Sequence, residues 1–406
     1  MNKRLTLLLL FVLLLPAYLK AFDFGLLLSQ RVDLSGNGGG TGVDMETVFV
    51  PRFSALIGEQ GDLYLSASIK AAYENEEWNV VPELLRNEIF WRMGNTDLRL
   101  GRMVYADPMN LVAAGLFDGA MFSRHTARGT FGAGVWYTGL LYKNRANISM
   151  TEADTVSIQE EALDWENFAG TYFASRRLMA AFYWDNPSVA ELFRFTAAVI
   201  GQADLNNRDS AYHNQYLIAR AALPFQRFIF ELGGALEVAQ FVYGGSVNLY
   251  MSFAADIGLH WIPPAQFYNM LSLTGRFTSP AADGSLSAFT PITSLSHGNI
   301  LRVEIPGLSI LSLNYSARLH RTFSVDMTAS HFMRSDRETF TAYPLDGQSS
   351  NNHFLGTEFF GRFIWSPFSD LHLNMGAGAF LPSLGDVAPN ADPRWRVELT
   401  VTLAAL

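Results

Sequence analysis

Apolar and polar residues alternate one by one along most of this chain. The pattern is clearest in residues 62–72, 311–320, 371–379 and 395–403, and it recurs from about Phe24 to Leu403. A period of two is typical of a β-strand, because successive side chains of a strand point to opposite faces. Each run is about ten residues long, the length that a tilted strand needs to cross a bilayer. The alternation therefore predicts an all-β fold with strands of membrane-spanning length.

Two all-β architectures share this alternation. A soluble sandwich or barrel buries its apolar rows in a protein core, whereas a transmembrane barrel turns them toward lipid. The polar rows here hold many Ser, Thr, Gly and Asn residues, and charged residues make up only 17% of the chain. An average soluble domain has roughly a quarter. The composition favours a single antiparallel transmembrane β-barrel and leaves a soluble all-β binding protein as the alternative.

The N-terminus resembles a secretory signal peptide. Two basic residues precede an apolar run at residues 5–15, and Pro16 ends the run before the small residue Ala21. This order of a cationic start, a short apolar stretch and a small residue is typical of signal peptides, and the run is short for a membrane-spanning helix. We predict that residues 1–21 are removed and that residues 22–406 form one barrel domain in a bacterial outer membrane, with the lipid bilayer as its partner.

The chain length sets the number of strands. About 385 of the 406 residues remain after removal of the signal peptide, and a strand with its turns takes roughly 20–24 residues. Sixteen to eighteen strands are therefore expected, and even numbers are the rule.

Turn signals separate the alternating runs. Tight turns are predicted at residues 223–226, 262–265 and 366–370, and longer polar loops at residues 35–44, 154–161, 204–209 and 335–352. Short turns at one end and long loops at the other are typical of outer-membrane barrels. Aromatic residues beside the turns predict girdles at the membrane interfaces; they are Trp184, Trp261, Trp365 and Phe380.

A barrel of this size is too wide for side chains to fill, so an aqueous lumen is expected. Residues 84–118 are the richest segment for lining it. If Leu85, Ile89 and Trp91 face lipid, alternation turns the charged residues between and beside them inward; these are Arg86, Glu88 and Arg92.

The next strand adds two arginines. Alternation places Arg99 in the lumen. Arg102 must follow a bulge or lie at the strand end, because a lipid-facing arginine at mid-bilayer costs roughly 2–4 kcal/mol. Residues 105–116, with Asp107-Pro108, are predicted to fold inward as a loop before Asp118. Arginines opposite carboxylates across a constriction would filter polar solutes; alternatively, the same charges neutralise one another and brace the wall.

Two short motifs carry a family resemblance. Residues 98–102 (LRLGR) and 117–120 (FDGA) resemble the paired-strand pattern of alginate-export-type and related porin-like outer-membrane barrels. The resemblance implies an 18-stranded channel with an arginine-lined lumen for anionic or polar solutes. It also implies that Arg99, Arg102 and Asp118 line that channel.

Signals for catalysis are lacking in the sequence. It contains no HExxH, Walker-type or GxSxG motif, its eight histidines are scattered, and it has no cysteine. Thiolate nucleophiles, disulfides and cysteine-ligated metals are therefore excluded, and we expect no enzyme, cofactor or metal. The net charge of -9 gives no sign of nucleic-acid binding.

The function predicted from these features is passive diffusion of small hydrophilic solutes through the lumen. Two alternatives remain open: a substrate-specific transporter or exporter, and a barrel that works through its loops as an adhesin or structural protein. A homo-oligomer is compatible with a porin-like chain, although no segment of the sequence identifies an interface.

Overall fold

The computed structural model describes residues 19–74, 77–149, 163–205, 210–264, 268–280, 288–294, 296–302, 307–335 and 352–405. Over these residues the chain forms one sheet of eighteen antiparallel strands. The first strand, β1, pairs with β2 on one side and with the last strand, β18, on the other, so the sheet closes into a barrel. The all-β barrel prediction is confirmed, with the strand number at the upper end of the predicted range.

The strands follow one another around the barrel in chain order. The first nine are β1 Leu19–Asn37, β2 Gly40–Ile57, β3 Gly61–Glu74, β4 Glu77–Met93, β5 Thr96–Ala106, β6 Ala114–Thr126, β7 Gly129–Tyr137, β8 Arg177–Val189 and β9 Phe193–Asp204. The second nine are β10 Ser210–Phe225, β11 Phe228–Tyr243, β12 Ser246–Trp261, β13 Tyr268–Thr278, β14 Leu308–His320, β15 Phe323–Arg334, β16 Phe354–Trp365, β17 Leu371–Leu381 and β18 Arg394–Ala405. Short helices are α1 Lys143–Ala146, α2 Phe168–Thr171 and a 3-10 turn at Pro382–Leu384. None of the helices in the described part of the chain is long and apolar enough to cross a membrane.

The predicted signal peptide lies mostly outside the described residues, so its removal stays a prediction. Residues 19–21 open β1, and the pairing of β1 with β2 shifts register between Leu19 and Phe22, at the predicted cleavage point. From Phe22 onward the ladder continues without a shift to Asn37.

The two faces of the sheet differ as the alternation predicts. On the outer face, Leu232 of β11 lies opposite Ile257 of β12, and both are more than 60% exposed. One residue further along, Gly233 lies opposite Asp256, which pairs with Arg276 inside the barrel. A sandwich would cover its apolar rows with a second sheet, whereas all the described strands belong to one closed sheet. The sandwich alternative is therefore wrong, and the apolar rows face outward.

Short turns and long loops lie at opposite ends of the barrel. The three predicted tight turns connect β10 to β11, β12 to β13 and β16 to β17, all at one end, called here the short-turn end. The loop predicted at residues 35–44 was wrong, because β1 and β2 run through it to a two-residue turn at Gly38-Gly39 at the opposite, long-loop end. The loop predicted at residues 154–161 lies outside the described residues, as do 206–209 and 336–351.

Aromatic side chains ring the outer face at the short-turn end. Trp261 and Trp365 are the last residues of β12 and β16, and Trp184 stacks on Phe131 with ring centroids 6.0 Å apart. The girdle prediction is wrong for Phe380, which is fully buried inside the barrel beside Phe332. Phe380 occupies one of the alternate positions of β17 whose side chains point into the lumen. Apolar residues of the β17–β18 connection cover its ring there.

Strand β4 carries aromatic residues near both ends. Trp78 packs on Tyr73 at the long-loop end, and Trp91 lies thirteen residues further along (91 − 78). At about 3.3 Å per residue and a tilt of about 40°, these residues are about 33 Å apart along the barrel axis. Such a spacing suits the two interfaces of a bilayer.

A bulge in β4 changes which of its side chains face outward, and this corrects the prediction for one residue. Leu65 pairs with Asn87 and Ala67 with Leu84, so two residues of β4, Leu85 and Arg86, lie opposite Ser66 alone. The extra residue changes the parity of the strand. Ile89 and Trp91 belong to the outer row as predicted, but the row continues at Leu84, which is exposed, instead of Leu85.

Candidate functional site

A first loop folds into the lumen between β5 and β6. Asp107 is buried at its base, and its carboxylate accepts hydrogen bonds from the amides of Met109 (2.8 Å), Leu111 (3.0 Å), Val112 (2.7 Å) and Ala113 (2.9 Å). Burial raises the pKa of Asp107 above its usual value, while these amides act in the opposite direction. The loop is residues 107–113, within the predicted segment 105–116, and we call it the first lumen loop.

Apolar packing holds the first lumen loop against the wall. Met109, Leu111 and Val112 are buried in a cluster whose wall residues come from β5 to β12. Among these wall residues are Met179, Ile200 and Ile218, with small alanines between them. A patch of apolar residues on an otherwise polar inner face therefore marks the place where a loop folds back, and it narrows the lumen there.

A second loop crosses the lumen. We call residues 288–302 the second lumen loop; its described parts are 288–294 and 296–302. The Glu237 carboxylate on β11 accepts a hydrogen bond from the Thr290 amide at 2.9 Å. On the far side, Glu358 of β16 accepts hydrogen bonds from three successive amides. In between, the amide of Ile292 donates to the carbonyl of Val112 at 2.7 Å, so the two lumen loops support each other.

Four arginines surround two carboxylates where the second lumen loop ends. Arg302 of the loop lies 3.3 Å from Asp33, and the Arg396 guanidinium pairs with both Asp33 and Glu398, at 3.0 Å from the latter. Arg31 pairs with Asp33, and Arg362 pairs with Glu398. These ion pairs fix the loop to the wall formed by β1, β16 and β18.

Three of the cavities among the described residues of the lumen adjoin one another. The first, the lower cavity, has a volume of about 560 Å³ and lies toward the short-turn end. The second, the middle cavity, holds about 500 Å³ beside the first lumen loop and shares Arg99 with the lower cavity. The third, the side cavity, holds about 320 Å³ and shares Arg220 and Glu231 with the middle cavity. The shared residues show that the three cavities adjoin one another, with charged side chains at each boundary.

Four of the six predicted channel-lining residues meet at the lower cavity; they are Arg86, Glu88, Arg92 and Arg99. Arg86 forms an ion pair with Glu88 and lies over the ring of Tyr64. The guanidinium of Arg92 pairs with Asp97 at 3.2 Å. Most of this charge is thus neutralised locally.

Arg99 differs from the other arginines of these cavities. Arg194, Arg220 and Arg276 each have a carboxylate partner on an adjacent strand. Within the described part of the chain Arg99 has no ion-pair partner, and its guanidinium carbon lies 5.5 Å from the centroid of the Phe90 ring. An unpaired guanidinium at the boundary of two cavities gives that point a positive potential.

The other two predicted residues, Arg102 and Asp118, pair with each other away from the lower cavity. The Arg102 guanidinium donates to both carboxylate oxygens of Asp118, at 2.8 and 2.7 Å, and Arg102 is 4% exposed. It lies next to Gly101, whose φ is +112°, and at the point where the pairing of β4 with β5 ends. With this geometry, the Arg102–Asp118 ion pair links β5 to β6 and stabilises the barrel wall.

No group of three His, Asp or Glu side chains among the described residues is arranged to hold a metal ion. The histidines of the lumen instead make local contacts, such as the hydrogen bond of 2.8 Å between His260 and Ser272. What the arrangement offers is a set of fixed charges around cavities of about 320–560 Å³.

Comparison with solved structures identifies barrels of the same fold. Pseudomonas aeruginosa OccK2 (OpdF), in complex with glucuronate, aligns with a TM-score of 0.60 at 13% identity, over 96% of this chain and 100% of that one. OccK9 (OpdG) from the same organism has a TM-score of 0.61 at 11% identity, over 96% and 100%. The outer membrane protein opdK, also from P. aeruginosa, has a TM-score of 0.57 at 10% identity, over 96% and 100%. No protein-family model and no curated protein sequence matches the chain.

These likenesses establish a porin-like barrel fold. They also correct the family resemblance suggested by the motifs at residues 98–102 and 117–120, because the likeness found is to OccK-type barrels and not to alginate-export-type channels. The motifs were too short and too rich in common residues to separate one barrel family from another.

Sequence reasoning missed the carboxylates that hold the second lumen loop. Glu237 and Glu358 are both at most 1% exposed. Each is the only charged residue of its local triplet, in Leu236-Glu237-Val238 and Thr357-Glu358-Phe359, and has the inward parity of its strand. An isolated acid on an inner row was the available signal, since a buried charge needs partners.

Proposed function

We propose that this chain is a bacterial outer-membrane channel through which small hydrophilic solutes diffuse passively, without turnover or a covalent step. The observation that carries the proposal is a closed barrel of eighteen strands, with exposed apolar rows outside and adjoining, charge-lined cavities inside. Lipid covers such rows, and a barrel of this width keeps water in its lumen. Export by a signal peptide at residues 1–21 is part of the proposal.

Arg99 gives the channel a preference among solutes. It stands between the lower and middle cavities without a carboxylate partner in the described residues. A fixed positive charge at a narrow point favours anions over cations. Glucuronate, the sugar acid bound in the similar barrel OccK2, is therefore the first solute to test.

The proposal is tested with residues 22–406, refolded in detergent and added to planar bilayers. We expect discrete conductance steps that grow in proportion to salt concentration. A chain that stays soluble without detergent and produces no steps would contradict the proposal. Saturable block of the current by glucuronate would favour the substrate-specific alternative.

The adhesin alternative is tested by the long loops. Shortening the β15–β16 connection should leave conductance steps intact if the lumen is the working part of the molecule. Loss of attachment to a surface with unchanged conductance would favour the adhesin. The homo-oligomer stays a prediction, to be checked by measuring the mass of the refolded protein in detergent.

A further inference from the structure

One stretch of the barrel wall lacks a strand-to-strand ladder. β4 begins at Glu77, but its pairing with β5 runs only from Asn87 to Met93. Among the described strands, residues 77–86 therefore have no partner on the β5 side. Beside them lies a hairpin that extends β7 and β8, formed by residues 138–143 and 172–177 and held together by backbone bonds such as Lys143 N–H to Tyr172 O (2.9 Å). We call this hairpin the wall hairpin, and its boundary with β4 the seam.

Side chains close the seam. The Tyr172 hydroxyl donates to the carbonyl of Pro82 at 2.9 Å. The Arg102 guanidinium donates to the carbonyl of Leu84 on one side and to that of Leu140, at 2.9 Å, on the other, while Asp118 holds it in place. Among the described residues no backbone hydrogen bond joins residues 77–86 to the wall hairpin. Arg145, two residues beyond the wall hairpin, also pairs with Glu83 of β4 at 3.4 Å. The contacts described across the seam are thus made by side chains: those of Tyr172, Arg102 and the Arg145–Glu83 ion pair.

The seam lies at a depth where lipid is expected. Leu84 is seven residues from Trp91 and six from Trp78, and therefore lies between the aromatic residues that mark the two interfaces. An unpaired backbone carbonyl is costly in hydrocarbon, which explains the side-chain donors. Pro82 fits an open edge because it has no N–H that would need a partner.

Apolar side chains line both sides of the seam. On the lumen side, Val81 is buried against Tyr142 and Tyr172, with Phe168 and Phe173 behind them. On the outer side, Leu84 and Leu140 are each about half exposed. An acyl chain that passed between β4 and the wall hairpin would meet apolar groups along its path, and Arg102 would stand beside it to receive an anionic headgroup.

We propose that the seam is a lateral portal that connects the lumen with the outer leaflet and admits the acyl chain of an anionic amphiphile, with Arg102 as its latch. The portal opens when Arg102 releases the carbonyls of Leu84 and Leu140. This inference rests on the membrane placement given under the proposed function and adds a second route to the axial one.

Because the chain contains no cysteine, a single introduced thiol can be labelled without background from native thiols. Val81→Cys places one thiol behind the seam, and the refolded protein in phospholipid vesicles is treated with a maleimide attached to an acyl chain. Arg102→Gln in this background should raise the labelling rate about tenfold, because one charge-assisted hydrogen bond contributes roughly that factor. Tyr172→Phe, which removes a single hydroxyl, is the milder second variant should Arg102→Gln fail to fold.

Ala239→Cys is the matched control, since it is a fully buried inward position on β11, far from the seam around the barrel. Its labelling rate should stay unchanged in the Arg102 and Tyr172 variants. The portal is refuted if neither variant raises the labelling of Val81→Cys, or if Ala239→Cys is labelled faster by the same factor, which indicates general loosening. Conductance steps are measured on the same preparations to test membrane insertion. Absence of these steps contradicts the channel proposal, whereas normal steps with unchanged labelling contradict the portal alone.

Discussion

The Glu358 carboxylate, 1% exposed on β16, accepts a hydrogen bond from the amide of Asn299, with 2.6 Å between the nitrogen and Oε1. Its other oxygen accepts from the amides of Ile300 and Leu301, each at 3.0 Å. Five strands away, Glu237 holds the beginning of the same loop. The second lumen loop is therefore a strap across the lumen with a buried acid at each end, and its tethering controls the space left for solutes.

Replacing Glu358 should loosen that strap. Glu358→Gln keeps one acceptor oxygen but removes the charge, and hydrogen bonds to a charged group contribute roughly 1.5–3 kcal/mol each. We expect larger and noisier single-channel currents. Asp326→Asn is the control, because Asp326 lies on the neighbouring strand β15 and makes no hydrogen bond to the loop among the described residues. Identical currents in wild type and Glu358→Gln would show that the loop does not limit flow.

Arg99 should set ion selectivity. Arg99→Gln removes a cation that has no carboxylate partner in the described part of the chain and that borders both the lower and the middle cavity. It should shift the reversal potential under a salt gradient toward cations, and Arg99→Glu should shift it further. Charge reversal at Arg92, which borders the lower cavity, should act in the same direction. Arg124→Gln is the control, because Arg124 pairs with Phe131 on the outer row near a turn. Unchanged selectivity with normal conductance rejects the role of Arg99.

The outer row of β11 should not tolerate charge. Leu232 lies four residues from the start of its strand, about 10 Å from the short-turn end along the axis and 63% exposed. Leu232→Arg should cost roughly 2–4 kcal/mol and lower the folded fraction in vesicles. Thr274→Arg adds the same charge to the wall of the side cavity and should be tolerated. Equal folding of both variants in lipid would argue against a lipid-facing row.

Gly101 should resist any side chain. Its φ is +112°, and a Cβ atom would collide with the backbone carbonyl of Asn87. Strain of this kind costs about 1–3 kcal/mol, so Gly101→Ala should lower the folded fraction, measured as the heat-sensitive compact band on electrophoresis. Gly201→Ala on β9 is the matched control, because a Cβ there meets no atom within 4 Å. A normal folded fraction for Gly101→Ala would contradict the strained geometry.

Acid should loosen the second lumen loop through His297. Burial, with Arg276 adding to it, lowers the pKa of His297 to about 4; the side cavity also presents Glu231, Asp256, Arg220 and His260. Because a released loop would regain a pKa of about 6.5, the tethered state has its full stability above pH 6.5 and loses it as the pH falls toward 4. Current noise should rise over that range.

His297→Gln is the variant that isolates this effect. It keeps a polar side chain of similar size but cannot take up a proton, so the rise in noise between pH 6.5 and 4 should be smaller than in wild type. If the two proteins show the same pH profile, other acids of the lumen are responsible and His297 has no part.

The sequence by itself determined the fold class, the range of strand number and most inner and outer rows. It could do so because a period of two is a local property, and the lipid-facing or lumen-facing position of a residue such as Ile89 follows from its neighbours alone. The bulge opposite Ser66 and the β17–β18 connection that covers Phe380 escaped it, since a single added residue or a folded-back loop leaves no periodic signal.

Only the tertiary structure decided what the charges do. Arg92, Arg99 and Arg102 look alike in the sequence, yet one pairs with Asp97, one stands between two cavities and one closes the seam. The partners of Arg102 lie on β4, β6 and the wall hairpin, up to 38 residues away. Contacts over such separations depend on how the sheet closes, so alternation could place these arginines on strands but could not assign their roles.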